Sequence, residues 1–199
     1  MLGKGIEAFE KLINNQLPDE IQDIWNQLQG IKYGVWSDKE KAPISIGDKK
    51  LDEPGYFYKY CRTLSPKEVL KYKSGTCFDV TILTCYLASI KKLKFDTYYY
   101  ESVDAKNIPV STHMVPAVQY QNKWYLIEYS YKQIAGVYEC DTIQECWKIE
   151  DDSRIPLHLK IVYRKTGFAN KLTKLFNDTN IKAQKILDIT GTTFDYKNS

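Results

Sequence analysis

Cys77, His113 and Glu128 are three residues whose types can form one reacting unit. In thiol chemistry the nucleophile is the thiolate, so a reactive cysteine needs surroundings that favour the anion. Cys77 stands in Ser74-Gly75-Thr76-Cys77-Phe78-Asp79, which reads as the opening of a helix. Unpaired N–H groups and the positive end of the helix dipole favour a negative charge there. The same N–H groups can stabilise an oxyanion on an attacked carbonyl. Gly75 lets the backbone turn tightly and leaves room for a substrate.

The thiol needs a base, and the chain has only two histidines. His113 lies near the start of a predicted strand over 112–120, and Glu128 lies on the next, over 123–131. A two-residue turn at Gln121-Asn122 would set Tyr120 opposite Lys123, and Val115 opposite Glu128. His113 and Glu128 then share one face as diagonal neighbours, roughly 7–8 Å apart at the backbone and within side-chain reach. A carboxylate there fixes the imidazole tautomer and steadies the imidazolium. A loop one residue longer would put the two on opposite faces.

The competing candidates have weaker company. His158 is expected within an apolar strand, where a histidine is more often structural. Glu101 and Asp104 are the rival third members. Cys85 reads as an inert core thiol on an apolar helix. Cys61, Cys140 and Cys146 lack a neighbouring base, and their spacing is no zinc pattern, so no metal or other cofactor is expected.

The elements that must position these residues follow from periodicity. Ile6, Phe9, Leu12, Ile13 and Leu17 recur at helical spacing, and Pro18-Asp19 starts a second helix with Ile21, Ile24, Trp25 and Leu28. Residues 37–55 read as a long irregular connection rich in turn formers. Ser65-Pro66-Lys67-Glu68 signals a short capped helix. The helix from Cys77, carried by Val80, Leu83, Leu87 and Ile90, is the most apolar and is expected to be central. Strands over 95–103, 112–120 and 123–131 follow, then a helix over 141–151, a strand over 158–164 and a helix over 168–188. Helices first, then consecutive antiparallel strands, predict an α+β fold.

Three blocks in this order carry a resemblance: Gly75-Thr-Cys77-Phe-Asp79, then Thr112-His113-Met-Val-Pro-Ala-Val, then Asn122-Lys-Trp124-Tyr-Leu-Ile-Glu128. Together they resemble the transglutaminase-like superfamily over about residues 60–131. The resemblance implies a papain-like cysteine-protease fold, with a nucleophile helix packed on an antiparallel sheet and Cys77, His113 and Glu128 as the catalytic triad. Glu128 stands where the family usually has Asp. The family's upstream tryptophan or polar group at the oxyanion points to Trp36, although an aromatic there also reads as core. Asp79 resembles the acid that often follows the family's cysteine, and reads equally as a first-turn acid stabilising the helix. The domain expected is a single one over 1–199, with its core at about 56–135, N-terminal helices over 1–35 and a C-terminal extension over 155–199. The activity implied is acyl transfer through a thioester on a peptide or carboxamide carbonyl, hydrolysis being favoured over cross-linking by the family's breadth. Two alternatives stand beside it: an acyltransferase with a thioester donor, and an inactive binding module that kept the fold.

Composition bounds the setting. The chain has 199 residues, 43% of them hydrophobic, which suffices for a core. Its 28 basic and 25 acidic residues are interspersed, with no run suggesting a nucleic-acid arm or a membrane anchor. No apolar stretch reaches the roughly 18 residues of a membrane span, and the N-terminus has no signal-peptide core. Five cysteines is an odd count, which fits free thiols in a reducing cytoplasm. The partner expected is a protein or peptide substrate.

Overall fold

The computed structural model describes residues 17–178 and 181–191. The first of the two expected N-terminal helices lies outside them. The second is α1 (Asp19–Leu28), which starts after Pro18 with two acids in its first turn and buries Ile21, Ile24 and Leu28 on one stripe. Three short strands follow, β1 (Lys32–Tyr33), β2 (Val35–Ser37) and β3 (Ala42–Ile44). A strand pair therefore occupies part of the connection expected to be irregular. Next come α2 (Tyr56–Tyr60) and β4 (Cys61–Thr63). The short helix α3 (Pro66–Tyr72) begins with the expected cap, in which the N–H and hydroxyl of Ser65 donate to Glu68 at 2.9 and 2.8 Å. Arg62 anchors the same carboxylate with two donors at 2.8 and 3.1 Å.

Strand β5 (Ser74–Gly75) leads directly into α4 (Cys77–Ile90). Residues 80–85 of α4 are buried without a break, as in a helix covered on all sides. The main sheet follows as β6 (Lys94–Val103), β7 (Pro109–Tyr120), β8 (Lys123–Glu128) and β9 (Gly136–Cys140). Gln121 and Asn122 both adopt positive φ, 46° and 66°, the signature of a two-residue hairpin turn whose twist matches the strands. Tyr120 accordingly pairs with Lys123, and Ala117 with Leu126. Strand β8 stops at Glu128 rather than continuing to 131, because the next N–H groups turn back to the Glu128 side chain.

After helix α5 (Ile143–Asp152), strand β10 (Lys160–Thr166) completes this sheet, ordered β10-β6-β7-β8-β9 and antiparallel throughout. His158 does not lie in the strand; it is an exposed residue at φ 55°, just ahead of it. The long helix expected over 168–188 is broken. Helix α6 (Ala169–Leu172) ends in a tight turn, strand β11 (Ile181–Lys182) joins β4, and α7 (Ala183–Thr190) follows. Fully buried Ile181 is the physical reason, since pairing with Thr63 places its side chain in the core.

The α+β architecture has layers. Helix α4 packs one face of the main sheet, where Val80 and Leu83 meet Val118, Tyr125 and Ile127, and Ile82 and Cys85 meet Tyr99 and Met114. Helix α5 covers the other face, Cys146 packing among Tyr98, Tyr100, Val115 and Leu126. A second sheet, β11-β4-β2-β3, and the parallel pair β1-β5 stand beside the start of α4. Among the described residues no helix is long and apolar enough to cross a membrane.

Candidate active site

Cys77 is the first residue of α4. The helix start is held by a capping box, with Asp79 accepting from the Thr76 N–H at 2.5 Å and its hydroxyl at 2.8 Å. The other Asp79 oxygen accepts from the Leu64 N–H at 2.5 Å, tying the cap to the end of β4. Burial pushes the Asp79 carboxyl up to about 6, against the lowering effect of these donors. Asp79 is thus a buried anchor of the helix start. Gly75 fits because of it: a Cβ at that position would meet the Asp79 Cβ at 2.7 Å.

His113 and Glu128 project from β7 and β8 toward the face that α5 covers. The His113 Nε2 and Glu128 Oε2 are 2.6 Å apart, and both side chains are buried. Glu128 Oε1 accepts from the N–H groups of Ser130 and Tyr131 at 2.6 and 2.8 Å. With Nε2 taken, Nδ1 is the ring atom left to face the Cys77 thiol, which also acts on the imidazole. Burial would lower the imidazole, but the Glu128 charge and the bonds to Cys77 and Glu128 hold it well above its ordinary value. Burial would likewise raise Glu128, yet the His113 charge and three hydrogen bonds hold it below the usual range.

Trp36 has partners of its own. Its indole N–H donates to Asp38 at 3.2 Å, its ring stacks on Tyr72 at 4.2 Å, and it is buried in the core cluster of α1 and α4. The indole donor that the sequence offers to an oxyanion is bonded to a carboxylate in this structure. Tyr33 lies at the thiol instead. Pairing of β1 with β5 sets Tyr33 beside Gly75, and the phenol interacts with both the thiol and the main-chain N–H of Cys77. The Cys77 charge and burial keep that phenol protonated far above its ordinary range. Its signal in the sequence is slight: an aromatic just before Gly34, where a Cβ would meet the Ile44 carbonyl oxygen at 2.8 Å.

Glu150 is the second residue that sequence reasoning missed. Fully buried on α5, it places Oε1 3.7 Å from His113 Nε2 and accepts from the Tyr100 hydroxyl at 2.9 Å. The Arg154 guanidinium donates to the same oxygen. A signal existed, since Glu150 repeats on the helical stripe of Ile143 and Cys146, an acid on an otherwise apolar face. The other candidates sit elsewhere. Glu101 accepts from the Tyr99 hydroxyl, Asp104 closes the β6–β7 turn, and all five cysteines are unbridged and buried. His113, Glu128 and Glu150 bring one donor atom each within 4.8 Å. A direct 2.6 Å hydrogen bond joins the first two, and Arg154 pairs the third.

This arrangement can generate a thiolate, take up its proton, and offer two donors to an oxyanion. A family model described as a transglutaminase-like domain matches residues 9–153. No curated protein matches. Among solved structures, an arylamine N-acetyltransferase from Bacillus cereus, reported to have a unique Cys-His-Glu catalytic triad, is 14% identical with a TM-score of 0.35. The likeness covers 65% of this chain and 49% of that one, about half the length of that enzyme. The matched stretch holds Tyr33, Cys77, His113, Glu128 and Glu150, and with residues 9–153 covered, the chain belongs to the transglutaminase-like family.

Proposed function

We propose that the chain is a cysteine-dependent acyl-transfer enzyme with Cys77 as nucleophile, His113 as base and acid, and Glu128 as the group that orients the ring. The observation that carries this reading is the buried His113–Glu128 hydrogen bond of 2.6 Å, on an imidazole that the thiol of a helix's first residue also influences.

The reaction begins when the Cys77 proton passes to His113 Nδ1 and the sulfur attacks a peptide or carboxamide carbonyl. The carbonyl π electrons move to oxygen, and the oxyanion is met by the Cys77 N–H and the Tyr33 hydroxyl. The tetrahedral carbon then expels its nitrogen, which takes the proton from His113, leaving an acyl thioester on Cys77. His113 next deprotonates a water or an amine, which attacks the thioester. Collapse returns the sulfur as the thiolate and the proton through His113, yielding a carboxylic acid or a new amide. A protein or peptide is the substrate class that fits. Carboxamide hydrolysis is the leading outcome, and transfer to an amine runs through the same thioester.

The test is a screen of peptide, glutamine and isopeptide substrates with wild type and Cys77→Ala, together with iodoacetamide labelling at pH 7 located by mass spectrometry. Cys77 is expected to label ahead of the other four cysteines, and turnover is expected to fall at least about 10³-fold in the variant. Equal, slow labelling of all five with no turnover would favour a binding module that kept the fold.

A further inference from the structure

Two buried polar residues near the triad have no part in that mechanism. Glu150 and Arg154 are fully buried or nearly so, at 0% and 4% exposure. They stand at and just beyond the end of α5, on the sheet face that carries His113 and Glu128. The Arg154 guanidinium lies 3.9 Å from the centre of the Tyr131 ring and 5.0 Å from that of Tyr100, so its position is fixed by two aromatic faces. Tyr100 is also the cross-strand partner of His113, and the Tyr131 N–H is one of the two that hold Glu128. The pair is therefore built into the same framework as the triad. Burying a second carboxylate beside the first is costly unless its charge has use or balance.

The balance can be counted. Burial and the Glu128 charge raise the Glu150 carboxyl, while His113 and Arg154 oppose that. With Glu150 ionised against Arg154 and His113 protonated, the buried set of Glu128, Glu150, His113 and Arg154 is neutral. With His113 neutral, the same set carries one net negative charge in a dry environment. We propose that Glu150 and Arg154 are a positioning pair for the triad, in which a second carboxylate 3.7 Å from His113 Nε2 and a guanidinium that partly offsets it set how firmly the site holds a protonated imidazole. This deepens the acyl-transfer reading and rests on it for its catalytic meaning. The groups that face this cluster are Cys77 from α4, Tyr100 from β6, Glu128 from β8 and Tyr138 from β9, with Arg154 beyond α5.

The charge count gives effects of opposite sign, which a packing role would not. Glu150→Gln keeps the volume but leaves the protonated set with one net positive charge, so His113 should lose its proton at lower pH. Arg154→Met leaves the protonated set at minus one and the neutral set at minus two, so His113 should hold its proton to higher pH. The double variant restores the wild-type count. Imidazole titration by NMR reads this directly, because only two histidines are present and exposed His158 is an internal control. The same titrations in Cys77→Ala separate the ring from its coupling to the thiol. The expected results are a downward shift on the order of one pH unit for Glu150→Gln, an upward shift for Arg154→Met, near-recovery in the double variant, and no movement of His158. Unchanged His113 titration in folded Glu150→Gln, or shifts of the same sign in both single variants, would overturn the proposal. If Glu150→Gln fails to fold, the upward shift of Arg154→Met carries the test, and its absence overturns the proposal. Iodoacetamide labelling of wild type separates the two claims: selective Cys77 labelling without these shifts defeats this inference alone, while the shifts without selective labelling defeat the acyl-transfer reading alone.

Discussion

Both oxygens of Glu128 are committed, one to His113 and the other to the N–H groups of Ser130 and Tyr131. An aspartate is one methylene shorter and cannot reach the ring while keeping both main-chain donors. Glu128→Asp should therefore lower turnover about 10- to 100-fold, the scale of a small misplacement of a reacting group. Glu128→Gln, which removes the charge that steadies the imidazolium, should lower it about 10⁴-fold. Steady-state rates on one substrate rank the two, and equal rates for Gln and Glu would remove Glu128 from the mechanism. Tyr33 makes a separate prediction. Tyr33→Phe keeps the ring but removes the O–H, so turnover should drop about 10²-fold. Iodoacetamide labelling of Cys77 has no oxyanion and should not slow. A parallel drop in labelling would assign Tyr33 to holding the sulfur rather than the substrate oxygen. The His113–Glu128 contact and the place of Cys77 at a helix start were legible because each is tied to a local pattern, a hairpin or a capping sequence. Tyr33 was not, because a two-residue parallel pairing with β5 leaves no periodicity to read. The bond of Trp36 to Asp38 was not legible either: the two are neighbours in sequence, yet only the sheet geometry shows that the indole donor is engaged.

The start of α4 depends on Gly75 and Asp79 as one device. Asp79 satisfies three donors while buried, so Asp79→Ala leaves buried N–H groups without partners. The expected cost is about 3 kcal/mol. In a chain of this size that corresponds to a fall in melting temperature of about 6–12 °C. Gly75→Ala must displace the Asp79 Cβ from a 2.7 Å approach and should damage the same cap. The test is a double-mutant cycle by thermal melting. The Gly75→Ala and Asp79→Ala costs should be less than additive, since each removes the same cap; full additivity would show two independent devices. The acid was visible as a helix-start residue, but its tie to Leu64 was not. Four strands of the main sheet were readable from β-branched and aromatic runs, and the hairpin register followed from two turn residues, while the edge strand β9 was not among the expected elements. The three-residue strands of the second sheet were not, because so short a run has no measurable alternation and is fixed by its neighbours.

Across the molecule, the buried His113–Glu128 pair couples folding to pH in two directions. His113 is held well above its ordinary 6.5 in the folded chain. Its stabilising contribution is thus complete below about 6.5 and is lost as pH rises through the raised folded value. Glu128 is held below its ordinary 4.5. Its contribution is complete above about 4.5 and is lost as pH falls through the lowered folded value. The two windows overlap between about 4.5 and 6.5, where the pair should stabilise the fold most. Other groups also titrate across this range, so the absolute melting curve does not isolate the effect. The difference between wild type and His113→Gln/Glu128→Gln does, because most other groups cancel in it. That difference should be largest near pH 5.5 and shrink steadily toward pH 9 in thermal melts followed by circular dichroism. The substitutions also change packing, but packing adds an offset that does not vary with pH. A difference that stays constant from pH 5 to 9 would mean that no proton is held more tightly in the folded chain than in the unfolded one. The site would then lack the charged hydrogen bond on which its chemistry depends.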